Sequence, residues 1–223
     1  MPTNGYAALW DVDGTLVDTA ELHFRAWAAT ALERGRPFDR DDFTRTFGRR
    51  NPEIIHTLFG DALTDREALD LADRKELLYR EAAGKGVELL PGVRRLLEDL
   101  DGAGFRQAVG SSAPRANLEL ILRLTGVERF FPAVIAAEDT KRGKPDPQVF
   151  LLAAQRLGAP PGRCVVLEDA VAGVQAARAG GMKCIAVRFV GHHSEEALRA
   201  AGADLVVTTL EEVTAEAVRR LFD

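Results

Sequence analysis

Two aspartates two residues apart, Asp11 and Asp13, stand in the run Asp11-Val12-Asp13-Gly14-Thr15, directly after the apolar stretch Tyr6 to Trp10. On an extended chain, residues i and i+2 point to the same side, so both carboxylates face one crevice. In an open α/β sheet, the crevice outside the carboxyl ends of the strands is where ligands bind. Like charges this close resist joint ionisation unless a cation lies between them. For hard oxygen ligands beside a phosphate, that cation is magnesium. Asp and Gly are also common turn formers, and alone the stretch reads equally as a strand followed by an Asx/Gly turn.

Three further polar signatures follow later apolar runs. Phe105 to Gly110 leads into Ser111-Ser112, with a helix start at Pro114. A hydroxyl and backbone N–H groups placed there can hold a phosphate, although Ser111 in isolation also reads as a helix N-cap. Gly143-Lys144-Pro145-Asp146-Pro147 fences a lysine between prolines, which stiffen the loop and give the cation a fixed place. Cys164 to Leu167 ends in Glu168-Asp169, and Ala170 to Val174 opens a helix. Acids at two separate strand ends suggest a metal cup.

The elements that must position these groups follow a βαβ rhythm. Tyr6 to Trp10, Phe105 to Gly110, Ala133 to Ala136, Cys164 to Leu167, Lys183 to Val187 and Asp204 to Val207 are apolar runs. Continuous rather than alternating apolarity suits strands covered on both faces, so the fold class is α/β, a doubly wound parallel sheet. Helices are expected over Val93 to Leu100, Arg115 to Leu124 and Gln148 to Leu157, the last two started by Pro114 and Pro147. Residues 18–86 are poor in strand signals but hold four helical patterns: Glu21 to Gly35, Asp39 to Thr46, Pro52 to Phe59 and Thr64 to Ala83. That is too long for one crossover. The expectation is an all-helical unit (18–86) inserted into a core made of 1–17 and 87–223, overhanging the reaction centre. The alternative is a helical decoration on the sheet edge. The acidic run Asp39 to Asp42 reads as a solvated helix start.

With 223 residues, 46% hydrophobic and 28% charged, the chain can bury a sizeable core. Its net charge of -5 and pI of about 5.5 provide no basic field for nucleic acid. No apolar run approaches the roughly 20 residues of a membrane span and no leader pattern opens the chain, so the expected location is the cytoplasm. Cys164 and Cys184 lie in apolar runs and read as small core residues.

In order and spacing, Asp11-Val12-Asp13-Gly14-Thr15, Ser111, Lys144 and Glu168-Asp169 resemble the four motifs of the haloacid dehalogenase superfamily. Within it, the chain is similar to the small-helical-cap group of β-phosphoglucomutase-like proteins and sugar-phosphate phosphatases. The resemblance covers nearly the whole chain and implies a Rossmann-like core with a helical cap. It implies Asp11 as a nucleophile forming an aspartyl-phosphate, Asp13 as general acid/base, and Ser111 and Lys144 gripping the phosphoryl group. It further implies Mg2+ held by Asp11, the Asp13 carbonyl and Asp169, with Glu168 in or next to the ligand set.

Asp13 argues against carbon–halogen cleavage, because dehalogenases lack the second aspartate. Phosphonate hydrolases carry a Schiff-base lysine early in the cap, where this chain has none; Lys75 and Lys85 come later. In the cap, Asp18 to Trp27 is similar to the mutase hinge, and by that resemblance His23 would bond to Asp13. A half-buried helix histidine is the plainer reading of His23. Lys75 and Tyr79 fit a substrate-contact pattern, although helix lysines are usually solvated. In Gly48-Arg49-Arg50-Asn51-Pro52-Glu53, Asn51 stands where the mutase has the arginine that grips the second phosphate, and Arg49 and Arg50 are candidate substitutes. With Ser112, these are the expected substrate-binding residues. The expected function is a monomeric Mg2+-dependent phosphatase of a small phosphorylated metabolite, most simply a sugar phosphate. β-phosphoglucomutase is the alternative, and a noncatalytic metabolite-binding protein on the same fold is a rival that the intact acid and lysine set disfavours.

Overall fold

Strand β1 (Ala7–Trp10) is buried along its whole length. Its side chains alternate between two cores: Ala8 and Trp10 enter one apolar cluster, Ala7 and Leu9 the other. A strand apolar on both sides needs helices on both faces, and the computed structural model, which describes residues 5–223, supplies them. After β1 come α1 (Ala20–Leu32), α2 (Arg40–Thr46), α3 (Asn51–Phe59), α4 (Asp65–Ala83) and α5 (Val93–Gly102). The rest of the chain alternates: β2 (Arg106–Gly110), α6 (Arg115–Thr125), β3 (Ala133–Ile135), α7 (Gln148–Leu157), β4 (Cys164–Glu168), α8 (Val171–Ala179), β5 (Lys183–Val187), α9 (Glu195–Ala201), β6 (Leu205–Val207) and α10 (Ala215–Arg220). One core cluster gathers residues of α5, α6 and α10, the other residues of α7, α8 and α9.

The six strands are all parallel, in the order β3-β2-β1-β4-β5-β6. The order reverses between β1 and β4, and ligand crevices form at such switch points. Trp10 is in register with Leu167, so both acid-bearing strand ends open at the same level. Cys164 and Cys184 are free and buried, as their apolar surroundings suggest. Among the described residues, no helix is long and apolar enough to cross a membrane.

Helices α1 to α4 carry a separate apolar cluster built on Trp27, Phe38, Phe43, Ile54, Ile55 and Leu71. The chain leaves the core and returns beside itself: Val17 bridges Leu89, and Leu90 N–H donates to the Leu16 carbonyl at 2.8 Å. α4 begins in a reciprocal cap between Thr64 and Glu67. Two expectations are corrected. α1 stops at Leu32, because residues 33–35 form a turn that ends on Gly35 with φ 72°. The acidic start of α2 is not all solvated: Asp39 caps the helix, but Asp42 is buried and paired with Arg36 and Arg45.

Candidate active site

The ladder between β1 and β4 runs one residue beyond the strands, where Asp11 N–H donates to the Leu167 carbonyl at 3.0 Å. This holds Asp11 beside Glu168 and Asp169. From the Gly143–Pro147 loop, whose Lys144–Pro145 bond is cis, Lys144 Nζ donates to Asp11 Oδ1 at 2.6 Å and also to Glu168 Oε1. Glu168 Oε2 accepts the N–H groups of Asp169 and Ala170 at 2.8 and 2.7 Å. Two glycines make room for these acids. A Cβ on Gly14, whose φ is +89°, would lie 2.1 Å from Asp169 Oδ2, and one on Gly173 would lie 1.8 Å from Glu168 Oε1. Any side chain at either position displaces a carboxylate.

The charges are unbalanced. Burial, with repulsion from Glu168 and Asp13, pushes Asp11 up to about 8 against the pull of Lys144. Burial and the charges of Glu168 and Asp11 push Asp169 well above the usual carboxylate range. Lys144 is raised, since Asp11 and Glu168 outweigh the burial that opposes its charge. One lysine thus faces three buried acids. This donor set fits a hard divalent cation: carboxylate oxygens of Asp11 and Asp169 in excess of positive charge, with the Asp13 carbonyl next in the loop. Glu168, expected in or next to the ligand set, has its oxygens bonded to Lys144 and two N–H groups.

The Asp13 side chain turns to the helices. Its Oδ1 accepts from Thr19 Oγ1 and lies 3.2 Å from His23 Nε2, so among the expected metal ligands it offers only its carbonyl. Burial opposes its charge, but His23, Thr19 and Lys75 together hold Asp13 below the ordinary carboxylate value. Lys75 Nζ lies 2.9 Å from His23 Nδ1. The tautomer with Nε2–H, donating to Asp13 while Nδ1 accepts from the ammonium, satisfies both contacts. Tyr79 stacks on His23 with ring centroids 4.2 Å apart. Lys75 also donates to Glu76 Oε1 at 2.8 Å, and its buried position lowers its pKa against the pull of Glu76. Glu76 accepts Asn51 Nδ2 on Oε1 at 2.8 Å and Asn117 Nδ2 on Oε2 at 2.6 Å. Arg80 donates to Asn117 Oδ1 at 3.2 Å, so α4 grips the core helix α6 through both ends of one amide.

These groups surround a cavity of about 260 Å³ lined by Asp11, Asp13, Ser111, Ser112, Lys144, Glu168 and Asp169 below and by His23, Gly48, Arg49, Asn51, Lys75 and Glu76 above. That is at the small end of ligand pockets. Ser111 Oγ accepts the Ala113 N–H at 3.1 Å, which leaves its hydroxyl proton to donate. Ser111 is not the N-cap of α6, a place taken by Pro114. Arg50 is a correction: it does not line the cavity, but donates to the Ala137 carbonyl at 2.5 Å and lies against Gly143. Arg49 stands exposed at the mouth. Thr19, Glu76, Asn117 and His193 were not foreseen. Glu76 had a signal: with Leu71, Lys75, Tyr79 and Ala83 it lies on the buried face of α4, where a charge requires a partner.

A family model described as haloacid dehalogenase-like hydrolase matches residues 7–181. The chain is 35% identical over 217 residues to a β-phosphoglucomutase of Bacillus subtilis, covering 94% of this chain and 92% of that one. It is 32% identical over 204 residues to a phosphorylated carbohydrates phosphatase of Thermotoga maritima, covering 90% and 93%. The crystal structure of a β-phosphoglucomutase from Clostridium difficile superposes with a TM-score of 0.88 at 25% identity, covering 97% of this chain and 96% of that one. With acids and lysine converging at the switch point of a matching fold, the chain belongs to the haloacid dehalogenase-like hydrolase family.

Proposed function

We propose that this protein is a phosphoric monoester hydrolase that removes phosphate from a small sugar phosphate by way of Asp11. The observation that carries the reading is the pairing of Asp11, held by Lys144, with Asp13, held by His23, across one small roofed cavity. Asp11 attacks phosphorus and the bond to the sugar oxygen breaks. That oxygen takes its proton from Asp13. Water then attacks the aspartyl-phosphate, gives its proton to Asp13 and releases phosphate. Lys144 and the Ser111 hydroxyl hold the phosphoryl oxygens throughout. In the structure Asp13 is held in its ionised form, the form that meets water. An arriving phosphate adds negative charge and favours the acid form required by the first step. Asp11, Asp169 and the Asp13 carbonyl are the groups that would hold Mg2+, which supplies charge neutralisation for the phosphate oxygens.

Chelation should reduce activity to below about one hundredth, and added Mg2+ should restore it. Full turnover after verified metal removal would refute the cation site.

Similarity to a β-phosphoglucomutase favours a mutase as the second reading. That reaction requires the cap to grip a second phosphate, and of the expected grips only Arg49, exposed at the mouth, has its side chain uncommitted among the described residues. Asn51 is bonded to Glu76, Arg50 to Ala137, and Lys75 to Glu76 and His23. The deciding experiment is a panel of sugar monophosphates assayed for inorganic phosphate and, with β-glucose 1-phosphate, for glucose 6-phosphate. Phosphate released in step with substrate consumed is expected. Glucose 6-phosphate accumulating faster than phosphate would overturn the choice.

A further inference from the structure

A carboxylate inside a phosphate-binding cavity is an obstacle to one class of ligand. Glu76 is 5% exposed and lines the cap wall of the cavity. It is not an isolated charge: Lys75, Asn51 and Asn117 each donate to it. Those bonds consume the donors that this part of the wall could otherwise offer to an anion, leaving Arg49 at the mouth. The Asn51 amide faces Glu76, and the Lys75 ammonium is divided between Glu76 and His23. Arg50, the neighbouring guanidinium, points to the Ala137 carbonyl. Beside these groups the wall also carries the apolar side chains of Trp27, Phe47 and Ile54.

We infer that Glu76 is a specificity-determining residue: it makes the cap wall accept a leaving group that bears hydroxyls but no charge, and reject one that bears a second phosphate. This rests on the phosphatase reading and deepens it. Two physical effects act together. At this wall a second phosphate would face a buried carboxylate whose adjacent ammonium is already shared with His23, the Arg49 guanidinium standing apart at the mouth, which is exclusion by repulsion. A neutral sugar meets a carboxylate whose Oε2 has one donor in place and room to accept a hydroxyl. Glu76 also ties α4 to α6 through Asn117, so a merely structural role is the competing account. It predicts loss of kcat alike for every substrate.

The test compares glucose 6-phosphate with glucose 1,6-bisphosphate, and fructose 1-phosphate with fructose 1,6-bisphosphate, by kcat/KM. The wild type should prefer the monophosphate by about tenfold or more, and Glu76→Gln should reduce that preference by about tenfold, mainly through KM for the bisphosphate. A folded Glu76→Gln with an unchanged preference overturns the assignment while leaving the phosphatase reading intact. Absence of phosphate release from every monophosphate in the wider panel overturns both. Should Glu76→Gln fail to fold, the wild type decides by competition. Glucose 1,6-bisphosphate should inhibit hydrolysis of the best monophosphate more weakly than a second monophosphate does. Stronger inhibition by the bisphosphate overturns the assignment.

Discussion

Asp11→Asn is expected to lower kcat by at least about a thousandfold, the scale for loss of a covalent nucleophile. The amide keeps the shape of the side chain, and the backbone bond from Asp11 N–H to the Leu167 carbonyl is unaffected, so the sheet should stay in register. What disappears is the oxygen that attacks phosphorus. Lys144 still has Glu168 as a partner, so no buried cation is stranded. The check is single-turnover kinetics with a labelled sugar phosphate, followed by denaturation and a search for acid-stable, base-labile label on the protein. Wild type should carry transient label and the variant none. Near-wild-type turnover in Asp11→Asn would sink the covalent mechanism.

Asp13→Asn should cost about a hundredfold to ten-thousandfold on sugar phosphates, the range for removing a general acid/base. The loss should depend on the leaving group. A sugar alkoxide needs a proton as the bond to phosphorus breaks, whereas an activated aryl phenolate departs without one. An aryl phosphate should therefore form the covalent intermediate at nearly the wild-type rate and then stall, since water still has no base to receive its proton. A burst equal to the enzyme concentration followed by slow turnover is the signature. Equal slowing of the first step for both substrates would remove Asp13 from the acid role. The amide also weakens the anchor that Thr19 and His23 make on Oδ1, so KM is expected to rise alongside.

The strands were legible because the central ones are buried on both faces and therefore largely apolar. The expected run Tyr6 to Trp10 corresponds to Ala7–Trp10, and Lys183 to Val187 is matched at both ends. The acids and lysine at the strand ends were legible as well, because their positions follow from the sheet and from short loops. The cap was legible as helices but not as chemistry. Arg50 and Asn51 are neighbours on the chain, yet one reaches the Ala137 carbonyl and the other Glu76. That division is set by how α3 settles on the core, a tertiary outcome without a local pattern. Glu76 was passed over beside Lys75, and Asn117 lies on a core helix whose apolar spacing offers no reason to expect a cap partner. Buried polar pairs of this kind become visible only when both halves are placed.

The order of the sheet also governs how the protein comes into being. β1 leaves the ribosome before its ladder partners, which are Arg106–Val109 on one side and Cys164–Leu167 on the other. Until these emerge, the strand bearing Asp11 has two open edges, the state in which nascent chains mispair. Its length of four residues makes it a poor template for a foreign strand. The chain synthesised next is helical and holds its own apolar cluster, able to collapse while β1 waits. A fragment of residues 1–168 contains Asp11, Asp13 and Lys144, yet lacks the carboxylate of Asp169. The acids of the site thus come from the ends of strands synthesised far apart, Ala7–Trp10 and Cys164–Glu168, and the set is completed only when β4 has followed β1.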